Sequence, residues 1–121
     1  MSIQHVLIVD DSKTEQLFMS SLMQKINLTC SVADNADAAL AQMERRKPDL
    51  ILLDIVMPGK SGFQFARQIS KTPEFADIPI ILCSSKSQES DVIWGMRQGA
   101  RDYVTKPINP ADLINKIRSL S

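Results

Sequence analysis

The chain has no surplus of charge, few cysteines and no long apolar run, and each lack closes off a class of function. Its 121 residues carry 14 lysines and arginines against 14 aspartates and glutamates, for a formal net charge of zero. Holding a nucleic-acid backbone takes a basic patch, so no nucleic-acid partner is expected. No apolar stretch approaches the roughly 20 residues that cross a bilayer, so no membrane association is expected either. The opening Met1-Ser2-Ile3-Gln4-His5 lacks the basic flank and cleavage region of a secretion leader. The expected location is cytoplasmic. Cys30 and Cys83 are too few for a disulfide framework. Both stand in apolar strand-like runs and are expected to be buried thiols acting as small hydrophobes. There are no internal repeats, no linker and no low-complexity segment. One domain over residues 1–121, with no effector domain attached, is the expectation.

What the chain does have is alternation. Short apolar runs at residues 5–9, 50–53, 80–83 and 102–105 read as strands buried on both faces, and residues 28–33 read as a further short strand. Between them lie helical stretches. Ser12-Lys13-Thr14-Glu15 has the capping-box pattern and opens a helix over 12–24, for which Leu17, Phe18, Ser21 and Leu22 offer a face to bury. Residues 35–46 place Ala36, Ala39, Leu40 and Met43 at helical spacing and end in Arg45-Arg46-Lys47-Pro48. Further helices are expected over 63–70, over 87–98 with Ser87 as its cap and Gly99 at its end, and over 111–120 behind Asn109-Pro110. Five strand–helix units make an α/β fold, a doubly wound (βα)5 flavodoxin-like parallel five-stranded sheet with helices on both faces.

Four of the strand-like runs end in a polar residue. Asp10-Asp11 follows the first, Asp54 the third, Ser84-Ser85 the fourth and Lys106 the fifth. In a parallel sheet these ends share one edge, where open α/β folds place ligands. Packed carboxylates repel one another, and a small hard cation such as Mg²⁺ relieves the repulsion through oxygen ligands. Asp11 and Asp54 are the expected direct ligands, Asp10 acts directly or through water, and the backbone carbonyl of Val56 completes the protein's share. Asp54, alone at the end of the middle strand, is the candidate nucleophile for an acyl phosphate. Lys106 would then neutralise the phosphoryl oxygens and Ser84 would donate to one of them. Taken singly, each residue has a plainer explanation: a turn former, a helix cap, a solvated serine or a surface lysine. It is their coincidence at one edge that argues for phosphate chemistry.

With these residues the chain resembles the receiver domain of two-component response regulators, from about residue 3 to residue 120. The Asp10-Asp11 pair, Asp54 followed by Met57-Pro58 and Gly62, then Ser84, Tyr103 and Lys106-Pro107 carry the resemblance. It implies that Asp54 is the phosphoacceptor and that Asp10 and Asp11 hold Mg²⁺ with it. Ser84, with Ser85 beside it, would sense the phosphoryl group, and Lys106 would pair with it. The Lys106–Pro107 bond would be cis. The resemblance also implies a switch in which Ser84 is drawn inward and Tyr103 fills the space, altering the surface of the fourth helix, fifth strand and fifth helix. Ser at 84 in place of the commoner Thr, and Ile108 where Phe is frequent, depart from the pattern. Residues 94–103, with residues 54–59, are similar to single-domain regulators of type IV pilus twitching motility, which belong to chemotaxis-like systems. The implied partners are a histidine kinase and a downstream protein target, a motor or an adaptor.

Trp94 shares a helical stripe with Ser90, Asp91, Arg97 and Gln98, which points to partial exposure and a partner contact; packing against the preceding helix is the other reading. Within signalling, the chain is a messenger to an output machine or a phosphate sink for a shared kinase. Apart from Mg²⁺-dependent self-phosphorylation and its reversal, no enzyme activity is expected. An aspartyl-phosphate phosphatase would often carry a second acid where Val56 stands. A flavin binder would need a phosphate loop where Asp10-Asp11 would repel one.

Overall fold

The computed structural model describes residues 3–120. Met1, Ser2 and Ser121 lie outside the described residues, so the leader reading rests there on sequence alone. The chain runs β1 (His5–Val9), α1 (Lys13–Lys25), β2 (Thr29–Ala33), α2 (Ala36–Arg45), β3 (Leu50–Leu53), α3 (Gly62–Ser70), β4 (Ile80–Ser84), α4 (Glu89–Arg97), β5 (Asp102–Thr105) and α5 (Pro110–Ser119). The five strands form one sheet in the order β2-β1-β3-β4-β5, with every pair parallel. This is the doubly wound fold read from the sequence.

Alternation along the strands builds two cores. Leu7, Val9, Ile51, Leu53, Ile80 and Leu82 face one way, against Ala39 and Met43 of α2 and Phe65, Ala66 and Ile69 of α3. Val6, Ile8, Leu50, Leu52, Ile81 and Cys83 face the other, against Met19, Leu22 and Met23 of α1 and Leu113 and Ile117 of α5. Strands flanked by helices on both faces must be apolar throughout, and β1, β3 and β4 are buried at every position. β5 differs from the expectation of double burial. It is an edge strand, and only Tyr103 and Val104 are buried. β2, the other edge, buries only Ala33.

Three local readings are corrected. In α1 the buried residues are Gln16, Met19, Leu22 and Met23, while Leu17 is 71% exposed and Phe18 37%. Ser21 is also exposed. The helix turns its 16-19-22-23 stripe inward, so an adjacent apolar pair ends on the solvent side. Ser87 is not the cap of α4. Gln88 is, and its backbone N–H donates to Asp91 Oδ2 at 3.3 Å. Cys30, on the edge strand, is only partly buried, whereas Cys83 is fully buried and its thiol is pushed up to about 12. The caps at Ser12 and Asn109 are as read, and Asn35 caps α2 in the same way, each side-chain oxygen accepting a backbone N–H of the first turn.

Candidate functional site

From β1 the chain crosses to β2 at one edge, then returns past β1 to β3 on the other side. Reversal of winding opens a crevice above the C-terminal ends of β1 and β3. Asp10 leaves β1 there and Asp54 leaves β3. The ladder continues into both: the Asp10 N–H donates to the Ala33 carbonyl at 3.1 Å, and the Asp54 N–H to the Val9 carbonyl at 2.9 Å. The Lys106 N–H donates to the Ser84 carbonyl at 2.8 Å, which ties the ends of β4 and β5 together. The four strand ends thus converge as the sequence indicated.

The carboxylates of Asp10, Asp11 and Asp54 each present an oxygen within 4.8 Å of the other two. Asp10 and Asp54 are buried and Asp11 is exposed. Lys106 Nζ lies 2.8 Å from Asp10 Oδ2 and 3.5 Å from Asp54 Oδ1. Its ammonium therefore bridges the two buried acids. Burial, then the neighbouring Asp10 charge, push the Asp54 carboxyl above its ordinary value, with Lys106 and the Ile55 N–H opposing. Burial works against the charged form of Lys106, but its hydrogen bond to Asp10 and the charges of Asp54 and Asp10 hold it above its ordinary value. An all-oxygen, acid-rich pocket whose charge is only partly met by one ammonium suits a small hard cation.

The backbone is shaped for this. Ser12 N–H donates to Asp10 Oδ1 at 2.9 Å, a turn that fixes the Asp10 side chain. Ile55 N–H does the same for Asp54 Oδ1 at 2.9 Å. Gly62 N–H donates to the Ile55 carbonyl at 2.8 Å and folds the loop back onto the end of β3. A Cβ at Gly62 would lie 2.1 Å from the Asp54 carbonyl oxygen, so only glycine fits that approach. Val56, two residues beyond Asp54, is 59% exposed.

Ser84 is 1% exposed, and its hydroxyl accepts the Lys86 N–H at 3.2 Å. Tyr103 is 8% exposed, and its hydroxyl donates to the Lys86 carbonyl at 2.5 Å. Both side chains therefore grip one residue. Ser85 is exposed and takes no part in this network. The Lys106–Pro107 bond is cis, as the resemblance implied, and Pro107 is exposed. Trp94 is 48% exposed beside Ile93 at 47% and Met96 at 41%, while Gln98 of its supposed polar stripe is buried.

Gln16 was missed. It is buried, and its amide donates to the Asp10 carbonyl at 2.6 Å and to Asp34 Oδ1 at 2.7 Å. It pins the exit of β1 to that of β2. The available signal was a polar residue in register with Met19, Leu22 and Met23.

The family model for the response regulator receiver domain matches residues 6–118, and the chain belongs to that family of two-component signalling modules. Among named relatives it is similar to Protein PilH of Pseudomonas aeruginosa, 44% identical over 115 residues and spanning 95% of each chain. The phosphate regulon transcriptional regulatory protein PhoB of the same organism is 37% identical over 95% of this chain, which spans only 50% of PhoB. The chemotaxis protein CheY4 of Vibrio cholerae superposes with a TM-score of 0.91 at 25% identity, covering 99% of this chain and 100% of that one. A response regulator from Chloroflexus aurantiacus gives a TM-score of 0.93 at 25% identity over 98% and 97% of the two chains. No helix among the described residues is long and apolar enough to cross a membrane.

Proposed function

We propose that this chain is a phosphorylation-controlled switch, with Asp54 as the residue that accepts a phosphoryl group from a histidine kinase. The supporting observation is the convergence of three carboxylates within 4.8 Å at the crevice between β1 and β3, with Lys106 bridging two of them. In the transfer, the P–N bond of the donor phosphohistidine breaks as a bond from an Asp54 carboxylate oxygen to phosphorus forms, and the histidine ring keeps the electron pair. Asp10, Asp11 and Asp54, with the Val56 carbonyl, are the residues that would hold Mg²⁺. When bound, the ion would supply positive charge to the phosphoryl oxygens. Lys106 would exchange its Asp54 contact for a phosphoryl oxygen, and Ser84 would turn its hydroxyl to another. Ser84 and Tyr103 both hold Lys86, so that turn would reach Tyr103 and the exposed Ile93-Trp94-Met96 face, the proposed contact for a downstream protein.

The likeness to PilH supports an output in type IV pilus twitching motility or related chemotaxis-like control. The test is incubation with Mg²⁺ and either acetyl phosphate or a phosphorylated kinase, followed by mass spectrometry. One phosphate adduct is expected on the wild type and none on Asp54→Ala; an unchanged adduct in the variant refutes the assignment.

A further inference from the structure

At the far end of β1 the molecule has a second polar hollow, unrelated to the acidic crevice. It is a cavity of about 220 Å³ lined by His5, Leu7, Ser31, Gln42, Arg45 and Arg46. Its origin is sequence-local. β2 turns Thr29 and Ser31 toward α2, in register with His5 and Leu7. These short polar side chains leave space beneath the last turn of a ten-residue helix. His5 forms the floor and is only 6% exposed. Counted along the strand, it stands roughly 16 Å from Asp10.

Basic charge predominates at the rim of this hollow, with Asp49 the acid that acts on His5 and Arg46. Arg45 and Arg46 are exposed at its rim, and neither is in an ion pair among the described residues. Asp49 is the acid nearest His5, and its Oδ2 already accepts the backbone N–H groups of Gln4 and His5 at 2.9 Å each. The Gln42 amide is committed to the Val32 carbonyl at 2.7 Å. Two guanidiniums in no ion pair among the described residues, over a concave polar floor, suit an oxyanion, with the Asp49 charge, which reaches Arg46 and His5, opposing. We propose that this hollow binds a small phosphate-type oxyanion, held by Arg45 and Arg46 with the Ser31 hydroxyl beneath.

The hydrogen bonds couple such an anion to a proton. Thr29 gives its hydroxyl proton to the Gln4 carbonyl at 3.2 Å, so its oxygen must accept from His5 Nδ1–H at 2.8 Å. In the neutral ring Nε2 is then the acceptor, and Ser31 donates to it at 3.1 Å. When Nε2 takes a proton from solvent, Ser31 becomes the acceptor and its O–H is released toward the cavity. Burial, then Arg46, hold His5 below its ordinary value, with Asp49 opposing. A bound dianion offsets the Arg46 field and supplies a partner for the freed hydroxyl. Anion binding and protonation of His5 therefore favour each other.

His5 is the only histidine in the chain, so its ring gives a single histidine signal in NMR. The test titrates that signal against pH in sulfate, which stays doubly charged across the range, and in chloride at equal ionic strength. The expected result is a saturable shift and a His5 pKa higher in sulfate by at least about half a unit. The double variant Arg45→Gln/Arg46→Gln, its fold checked by circular dichroism, is expected to abolish the difference. Ser31→Ala is expected to keep part of the binding and lose most of the pH coupling. Equal pKa values in both salts, or an undiminished shift in the double variant, overturn the proposal. So does a response to succinate with none to sulfate or phosphate, which would make the class wrong. The readout does not involve Asp54, so it stands or falls apart from the phosphoacceptor reading.

Discussion

Asp54 is the residue on which sequence and environment agree most closely. Its carboxyl is raised by burial and by Asp10, so its ionised form is disfavoured in the fold. The folded state then binds this proton more tightly than the unfolded chain. Its stabilising contribution is complete below about pH 3.8 and is lost as pH rises through the folded value. Asp54→Asn removes the charge and keeps the oxygen that accepts the Ile55 N–H. It should stabilise the protein at pH 7 by about 1 kcal/mol, the order of one partly screened like-charge contact. Urea unfolding should show the gain fading as pH drops toward 3.8. Lys106 is the counterpart. Lys106→Met leaves Asp10 and Asp54 buried without a counter-ion and should cost about 3 kcal/mol. Thermal unfolding with and without Mg²⁺ should show a larger Mg²⁺ gain for the variant than for the wild type. The acids, the serine and the lysine were legible because each ends an apolar run. Gln16 was not, because a polar residue in register with Met19, Leu22 and Met23 reads as a break in the apolar stripe; only the geometry shows it spanning Asp10 and Asp34.

Among the elements, the strands were legible and the faces of the helices less so. A buried parallel strand is a dense apolar run, whereas a helix face depends on phase. In α1 one step of phase separates the Gln16-Met19-Met23 stripe from the Leu17-Phe18 pair, and adjacent apolar residues cannot settle it. Leu17→Ser should therefore change stability by less than about 0.5 kcal/mol, whereas Met19→Ala should cost about 2–4 kcal/mol, both measurable by denaturant unfolding. The loop between β3 and α3 carries a stricter demand. Gly62→Ala drives a methyl into the Asp54 carbonyl and should cost about 3 kcal/mol while displacing the acid it supports. A variant as stable as the wild type and as readily phosphorylated would show that the loop yields. The double burial expected of β5 failed because the edge position of a strand is a property of topology, which its own residues do not encode.

At the scale of the molecule, zero net charge conceals a polarity. Every helix starts at the edge of the sheet that carries the acidic crevice and runs away from it. First turns carry Glu15, Asp37, Glu89, Asp91 and Asp112, and last turns carry Lys25, Arg45, Arg67, Arg97, Lys116 and Arg118. The arrangement complements each helix dipole and collects negative charge around Asp54. An anionic phosphodonor approaches against that field. At saturating Mg²⁺, phosphorylation by acetyl phosphate should therefore accelerate about two- to threefold as salt is raised from 0.02 to 0.3 M, as the repulsion is screened. A flat or falling rate, followed by mass spectrometry, would show that the polarity is not felt at the site. Composition could not disclose this, since it sums charge without placing it.

The clasp on Lys86 has a consequence of its own. The Ser84 hydroxyl holds the amide nitrogen of that residue and the Tyr103 hydroxyl holds its carbonyl oxygen. Two neighbouring strands thus share one link of the intervening loop as a common handle. Neither side chain can let go without leaving the other holding slack backbone, and a pull felt at the tip of β4 arrives beside α4 after passing through a single amino acid.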